Sequence, residues 1–418
     1  MEAEEFLEKK FREYYRENSN RIEPPRRFGE REYGFAFFKG RIMTRHRQFR
    51  SQDELRKFVV DSAPCDVYYS TAYYSNPEEE MEKKGWLGAD LVFDIDADHI
   101  PTPCKGTHDH WTCRICGRSG TGAAPQVCPS CNSERFDQRS WICEICLREA
   151  ESEALKLSKI LVEDYGFSKN DLKIFFTGHR GYHIHIMSDM ILQLDSEERK
   201  EIVDYVLGVG IDLEEIGILP RDATMPDLPT NLNYTTGWKK RIIEKLANAI
   251  LNGDRDYLIG LGFRRVAADA IVEKRARAAD YQGVRNVVES LTLRDSSGRG
   301  AMGHERWKNV LEKIVETCSA KVDTVVTTDV HRLIRAKETL NGRTGLRTVE
   351  VSVDQLEYFD PLDNAIGMED GQETVEVDEA PEFRLGGSIF GPYSKQRVTL
   401  PTAAAVLLVC KGKAKPVT

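Results

Sequence analysis

Seven of the chain's ten cysteines fall between Cys104 and Cys146, and six of them stand in three Cys-x2-Cys pairs: Cys113 with Cys116, Cys128 with Cys131, and Cys143 with Cys146. A Cys-x2-Cys knuckle supplies two of the four ligands of a tetrahedral zinc ion, so knuckles must meet each other or other ligands in space. Cys104, His108 and His110 stand just upstream of the pairs. Seven cysteines and one histidine make eight ligands, enough for two ions. In a nested scheme Cys113, Cys116, Cys128 and Cys131 form an inner ribbon, while Cys104, one histidine, Cys143 and Cys146 close an outer site. His110 is taken as that histidine, with His108 the alternative. A sequential scheme gives the first four ligands to one ion and the last four to the other. The nested scheme is preferred. Either way the sites are closed and therefore structural. Cys65, Cys318 and Cys410 stand alone and read as small buried residues.

The 418 residues suggest two or three domains, and 40% hydrophobic with 30% charged residues fits a soluble globular protein. No apolar run approaches the ~20 residues of a membrane span, and the charged N-terminus lacks a signal-type apolar segment. A cytoplasmic location and no membrane contact are expected, and in a reducing compartment dense cysteines point to metal and not to disulfides. The net charge of −9 counts mildly against a nucleic-acid binder. Its distribution is uneven. Residues 21–50 hold nine Lys or Arg against three Glu, interleaved with Phe35, Phe37, Phe38 and Phe49, whereas residues 350–382 hold twelve acids and no base.

Upstream of the cysteines, residues 91–100 read Leu-Val-Phe-Asp-Ile-Asp-Ala-Asp-His-Ile. On a strand, Phe93 and Ile95 face one way, and Asp94 and Asp96 the other. Two carboxylates side by side repel unless a cation lies between them, and carboxylate oxygens suit a hard divalent ion. Downstream, residues 176–186 read Phe-Thr-Gly-His-Arg-Gly-Tyr-His-Ile-His-Ile. Glycines on both sides of His179 and Arg180 allow a tight turn and a backbone nest for an anion, to which Arg180 and His183 add donors. A third segment opens with Asp323 and continues through Arg332, Arg335 and Lys337 to Asn341-Gly342.

Periodicity predicts a helix over residues 4–17 with Leu7, Phe11, Tyr14 and Tyr15 on one stripe. It predicts strands at 33–38, 67–74, 90–97, 172–176 and 182–187, and a helix from about Glu149 to Tyr165. Asp195 and Glu198 form a capping box that opens a mainly helical stretch to about residue 318. Strand character is read again at Val322–Thr327 and in short runs at 348–353, 387–390 and 397–400, with a final strand at Ala403–Val409. The fold class is α/β with α+β character: mixed sheets flanked by helices, an inserted zinc-binding region and a helical subdomain. The expected division is residues 1–103 and 149–195 for the first two parts of a catalytic domain, 104–148 for the zinc insertion, 196–320 for the helical subdomain, and 321–418 for completion of the catalytic domain.

The order of these pieces resembles the small, catalytic subunit of archaeal-type DNA primases, of the archaeo-eukaryotic primase superfamily. Asp94-Ile-Asp96 resembles that family's paired metal carboxylates. Thr177-Gly178-His179-Arg180-Gly181-Tyr182-His183 resembles its Ser-Gly-x-Arg-Gly-x-His nucleotide motif, and Asp323 falls where it has a third metal carboxylate. Arg31-Glu32-Tyr33-Gly34-Phe35 and the Tyr68 region resemble its N-terminal blocks. The chain departs from the pattern at Thr339-Leu340-Asn341, where a Ser-Leu-His-like triplet is usual, and at Lys337, where Pro is common and the extra charge would partly restore that of the missing His. The Cys113–Cys131 ribbon is additional.

The resemblance implies two Mg²⁺ or Mn²⁺ ions among Asp94, Asp96 and Asp323, and a triphosphate held by Thr177, Gly178, His179, Arg180 and His183 with help from Arg335. It implies synthesis of short RNA primers from nucleoside triphosphates on single-stranded DNA during replication, in a heterodimer with a large primase subunit. One alternative is a primase-polymerase-like repair enzyme that extends existing ends. Another is a non-catalytic zinc-ribbon nucleic-acid binder, which explains the cysteines but not three carboxylates and a phosphate loop in that order.

Overall fold

The computed structural model describes residues 2–275, 280–292 and 302–417. It resolves into two compact units, one of Met1–Ser158, Ser168–Lys200 and Lys321–Thr418, the other of Lys159–Phe167 and Glu201–Ala320. The architecture is the mixed α/β one that the sequence pattern predicts. No helix among the described residues is long and apolar enough to cross a membrane.

Two four-stranded antiparallel sheets organise the first unit. In one the order is Leu333–Arg335, Asp66–Ser70, Tyr33–Ala36 and Met43–Arg47. In the other it is Val349–Val351, Leu172–Phe176, Gly181–Ile186 and Leu91–Asp96, which puts the Asp-x-Asp strand at an edge. The first helix, Ala3–Asn18, buries Phe6, Leu7, Phe11, Tyr14 and Tyr15, the apolar stripe expected of a helix with one covered face.

Arg31 and Asp90 form an ion pair that is almost wholly sequestered, with exposures of 0% and 1% and an Nη2–Oδ2 distance of 2.6 Å. Arg31 also donates to the carbonyls of Ser70 (2.6 Å) and Thr71 (3.0 Å), and the Tyr73 hydroxyl donates to Asp90 at 2.6 Å. Breaking such a pair leaves a buried charge without compensation. Arg31→Met is therefore expected to cost about 3–5 kcal/mol, read as a fall in thermal midpoint, while Arg31→Met with Asp90→Leu recovers most of the loss.

Two strands read from the sequence are helices. Ala403–Val409 lies in the helix Thr402–Cys410, whose residues from Ala404 to Val409 are all buried. A run that is apolar on every side carries no period, so strand and buried helix look alike in sequence. Val322–Thr327 is also not a strand. Asp323 caps a short helix, Thr324–Thr328, by accepting the Val325 amide at 2.9 Å, and this cap overrides the β-branched composition.

The cysteine block folds as a three-stranded ribbon in the order Ser119–Thr121, His110–Cys113, Phe136–Arg139. At the C-terminus Gln372–Ala380 pairs with both Tyr393–Pro401 and Ala414–Pro416. The second unit is helical around buried Trp238, Ile242, Leu246, Trp307, Val310 and Ile314. The predicted capping box precedes the helix Ser196–Leu207: the Asp195 amide donates to Glu198 and the Glu198 amide to Asp195, both at 2.9 Å.

Candidate active site

Phe93 and Ile95 are fully buried behind the edge strand, and Asp94 and Asp96 project from its other face. Register sets Asp94 opposite His183 and Asp96 opposite Gly181. His183 Nε2 lies 3.4 Å from Asp94 Oδ1. Burial alone would raise the Asp94 pKa, but His183 outweighs it and holds the carboxyl below its ordinary value. Asp96 moves the other way, raised by burial and then by the charge of Asp94.

The Asp323 amide donates to the Asp94 carbonyl at 2.8 Å, so the third acid, far away in sequence, is fastened to the same strand. The carboxyl oxygens of the three do not draw within 4.8 Å of one another, among the described residues, as the cysteine ligands do. Local bonds account for this: Asp323 caps its helix, and Asp96 accepts the Asp98 amide at 2.8 Å.

The loop between Leu172–Phe176 and Gly181–Ile186 closes through the Thr177 amide and hydroxyl, both donating to the Gly181 carbonyl at 3.0 and 3.2 Å. Gly178 sits at φ +74°, the left-handed region, and a Cβ there would meet the Asn341 Cβ at 2.8 Å. A Cβ on Gly181 would lie 2.2 Å from the Ile95 carbonyl oxygen. Gly181→Ala must therefore push the carboxylate strand away. A cost of about 1–3 kcal/mol in thermal unfolding is expected, as for overpacking generally, with a larger proportional loss of activity because Asp96 moves.

Asp94, Asp96, Thr177, His179 and His183 form one side of a cleft of about 200 Å³, and Tyr68, Arg332, Arg335 and Arg343 contribute to the other. Arg335 is ion-paired with Asp66 and lies 5.1 Å from the Tyr68 ring centre. Its guanidinium is held firmly charged: burial works against the charge, and Asp66 more than offsets it. Asn341 is buried, and its amide donates to the Thr177 carbonyl at 3.0 Å, so it braces the loop. Lys337 does not stand in for the missing charge, since it pairs with Glu23 at 2.8 Å and Glu350 at 3.0 Å.

Arg180, expected to help hold a triphosphate, is turned toward the cysteine block. Its guanidinium pairs with Asp98 and with Asp109 (3.0 Å), and donates to the Trp141 carbonyl at 2.9 Å. It ties the loop to the cysteine block. His179 stays near the cleft, neutral, its pKa pushed well down by burial and then by Lys411, Arg343 and Arg335. Lys411 Nζ donates to His179 Nε2 at 3.0 Å, and burial followed by the Arg180 charge lowers its pKa to about 7.

The cysteines form two four-ligand groups, Cys113–Cys116–Cys128–Cys131 and Cys104–His108–Cys143–Cys146, which is the nested arrangement. The histidine brought to the outer group is His108, not His110: His110 is exposed on the strand His110–Cys113, and His108 sits at the end of the short helix before it. Sulfur separations of 3.5 and 3.6 Å in the inner group and 3.4 and 3.7 Å in the outer one approach the ~3.8 Å edge of a tetrahedron with ~2.3 Å zinc–sulfur bonds. His108 Nε2 lies 3.2 Å from Cys143 Sγ, while its Nδ1 lies 2.7 Å from Asp109. A carboxylate behind a histidine in this way fixes the ring for a metal. Either group could hold a zinc ion.

Arg343, Lys411 and Asp109 were not foreseen in the sequence. Asp109 lies among cysteines and carries no motif of its own. Lys411 follows the apolar run misread as a strand. Arg343, two residues beyond Asn341, could have been suspected from its glycine-flanked turn.

A pair of acids on an edge strand, faced by a basic glycine-bounded loop, suits phosphate chemistry, and similarity to known proteins makes the chain an enzyme of the nucleotidyltransferase type. The chain belongs to the DNA primase small subunit family, whose model matches residues 136–353. It is similar along nearly its whole length to proteins named DNA primase small subunit PriS. That of Cenarchaeum symbiosum is 33% identical (98% of this chain, 97% of the relative), and that of Nitrosopumilus maritimus 31% (97% and 96%). That of Archaeoglobus fulgidus is 33% identical (98% and 97%).

Proposed function

We propose that the chain is the catalytic subunit of a DNA primase, which makes short RNA primers on single-stranded DNA during replication. The observation that carries this reading is the fastening of Asp323 to Asp94 at 2.8 Å on the strand that also faces His183. Asp94, Asp96 and Asp323 would hold two Mg²⁺ or Mn²⁺ ions, and the donor set fits, being all carboxylate oxygen. Bound there, the ions would neutralise charge at the attacking 3′-hydroxyl and the departing pyrophosphate.

The chain's own residues position the reactants. Thr177, Gly178, His179 and His183 face the triphosphate, with Arg335, Arg332 and Arg343 as cations opposite. Arg180 holds the loop in place from behind. Because the Arg335 guanidinium is held in place by its ion pair with Asp66, it favours developing negative charge with little rearrangement. Each four-ligand cysteine group would hold one structural Zn²⁺. The relatives' name, small subunit, supports a heterodimer with a large subunit.

Incubation with unprimed single-stranded DNA, labelled nucleoside triphosphates and Mg²⁺ or Mn²⁺, with and without the large subunit, is expected to give short RNA products. Products only when a primer is supplied would replace this reading with that of an end-extending polymerase.

A further inference from the structure

A second hollow in the same unit, about 890 Å³ against about 200 Å³ for the carboxylate cleft, is bounded by the zinc ribbon strand Phe136–Arg139 and by Arg41, Arg343 and Lys411. Its acids are already matched. Asp137 pairs with Arg114 at 2.7 Å, and Asp98 and Asp109 pair with Arg180. Lys105 is satisfied by the carbonyls of Ala97, Asp98 and Ile100. Arg41, Arg139, Arg343 and Lys411 have no carboxylate partner among the described residues: Arg41 donates to the Gly342 carbonyl at 3.1 Å and Lys411 to His179. The hollow is thus a concentration of positive charge in a chain whose net charge is −9.

It is continuous with the cleft, since Arg343 lines both and Lys411 in the hollow touches His179 in the cleft. Its rings are Phe136, half-buried and packed edge-on against Trp111 with ring centres 5.4 Å apart, and the imidazoles of His99 and His110. Four cations without a carboxylate partner, against three such rings, suit phosphates more than bases.

We propose that this hollow binds the phosphodiester backbone of the nucleic-acid strand that runs to or from the carboxylate cleft. This rests on the function proposed above. Arg41 and Arg139 are the outer contacts, both exposed, Arg343 is exposed between hollow and cleft, and half-buried Lys411 leads inward.

The test is fluorescence anisotropy of the full chain with labelled single-stranded DNA and, separately, labelled single-stranded RNA, across a salt series and without nucleotides. Arg41→Ser with Arg139→Ser is expected to reduce the slope of log affinity against log salt by about 1.4, at ~0.7 for each single-strand phosphate contact. Lys9→Ser with Lys57→Ser, which removes the same charge from exposed positions elsewhere in the unit, is expected to leave the slope unchanged. A reduced slope with DNA assigns the template, with RNA the product, and either supports the site. Equal effects of the two double variants, no effect of the first, no oligonucleotide binding by the full chain, or complete displacement by inorganic triphosphate would overturn it. The synthesis assay is independent: primers with an unaltered slope sink only this inference, and an altered slope without primers sinks only the proposed function.

Discussion

Asp96→Asn is expected to abolish primer synthesis while leaving the fold as stable as before or more so. Asp96 stands one strand repeat from Asp94, is largely removed from water and is pushed toward its neutral form by burial and by Asp94. Asn retains the shape and can still accept the Asp98 amide, but it removes a charge that repels Asp94. The thermal midpoint should therefore hold or rise by a few degrees. Synthesis should fall at least on the order of 10²–10³-fold, the scale seen when one preorganised electrostatic group is removed from an active site. Extension of labelled nucleotides and thermal unfolding followed by circular dichroism, on the same preparation, check both halves. A parallel loss of stability and activity would mean that Asp96 is structural.

What could be read from the sequence follows from how local each signal is. Alternation along residues 91–96 is enough to place Asp94 and Asp96 on one face, because a strand's period needs no partner. Cys-x2-Cys spacing likewise fixes pairs of ligands. His108 and His110, by contrast, differ by one strand repeat, and only the turn of the short helix Lys105–His108 decides between them. The pairing of Arg180 with Asp98 and Asp109 is not legible in the sequence, since those two acids carry no motif. Nor is the approach of Lys411 to His179, which needs the helix Thr402–Cys410 to be a helix and to be buried on all sides. A placing of Asp323 beside Asp94 comes from the sequence only through family resemblance, and the β-branched run after it points to a strand where the Asp323 cap makes a short helix.

The two cysteine groups should behave differently when broken. The outer one connects to the active site through side chains: His108 Nδ1 contacts Asp109, Asp109 receives Arg180 and the Trp141 amide (3.0 Å), and Arg180 belongs to the loop whose next residue, Gly181, pairs with Asp96. Cys143→Ala is thus expected to lower zinc content by one ion per chain, lower the thermal midpoint and reduce synthesis more than tenfold. Asp109→Asn should keep both ions yet lose about 10–100-fold in activity, as partners behind metal ligands generally do. Cys116 is exposed in the inner ribbon. Cys116→Ala should also remove one ion, but change the Michaelis constant for nucleoside triphosphate less than Cys143→Ala does, because the ribbon strand next to that group reaches the phosphate loop through the long Ser140 Oγ–His179 Nε2 contact of 3.5 Å, against 3.0 Å for Arg180 on Asp109. What it should weaken is oligonucleotide binding, since Arg139 stands on the ribbon strand that pairs with His110–Cys113. Metal analysis, unfolding and nucleotide kinetics on the three variants separate these outcomes. If Cys143→Ala and Cys116→Ala reduced nucleotide use alike, the Arg180–Asp109–His108 path would not be what holds the loop.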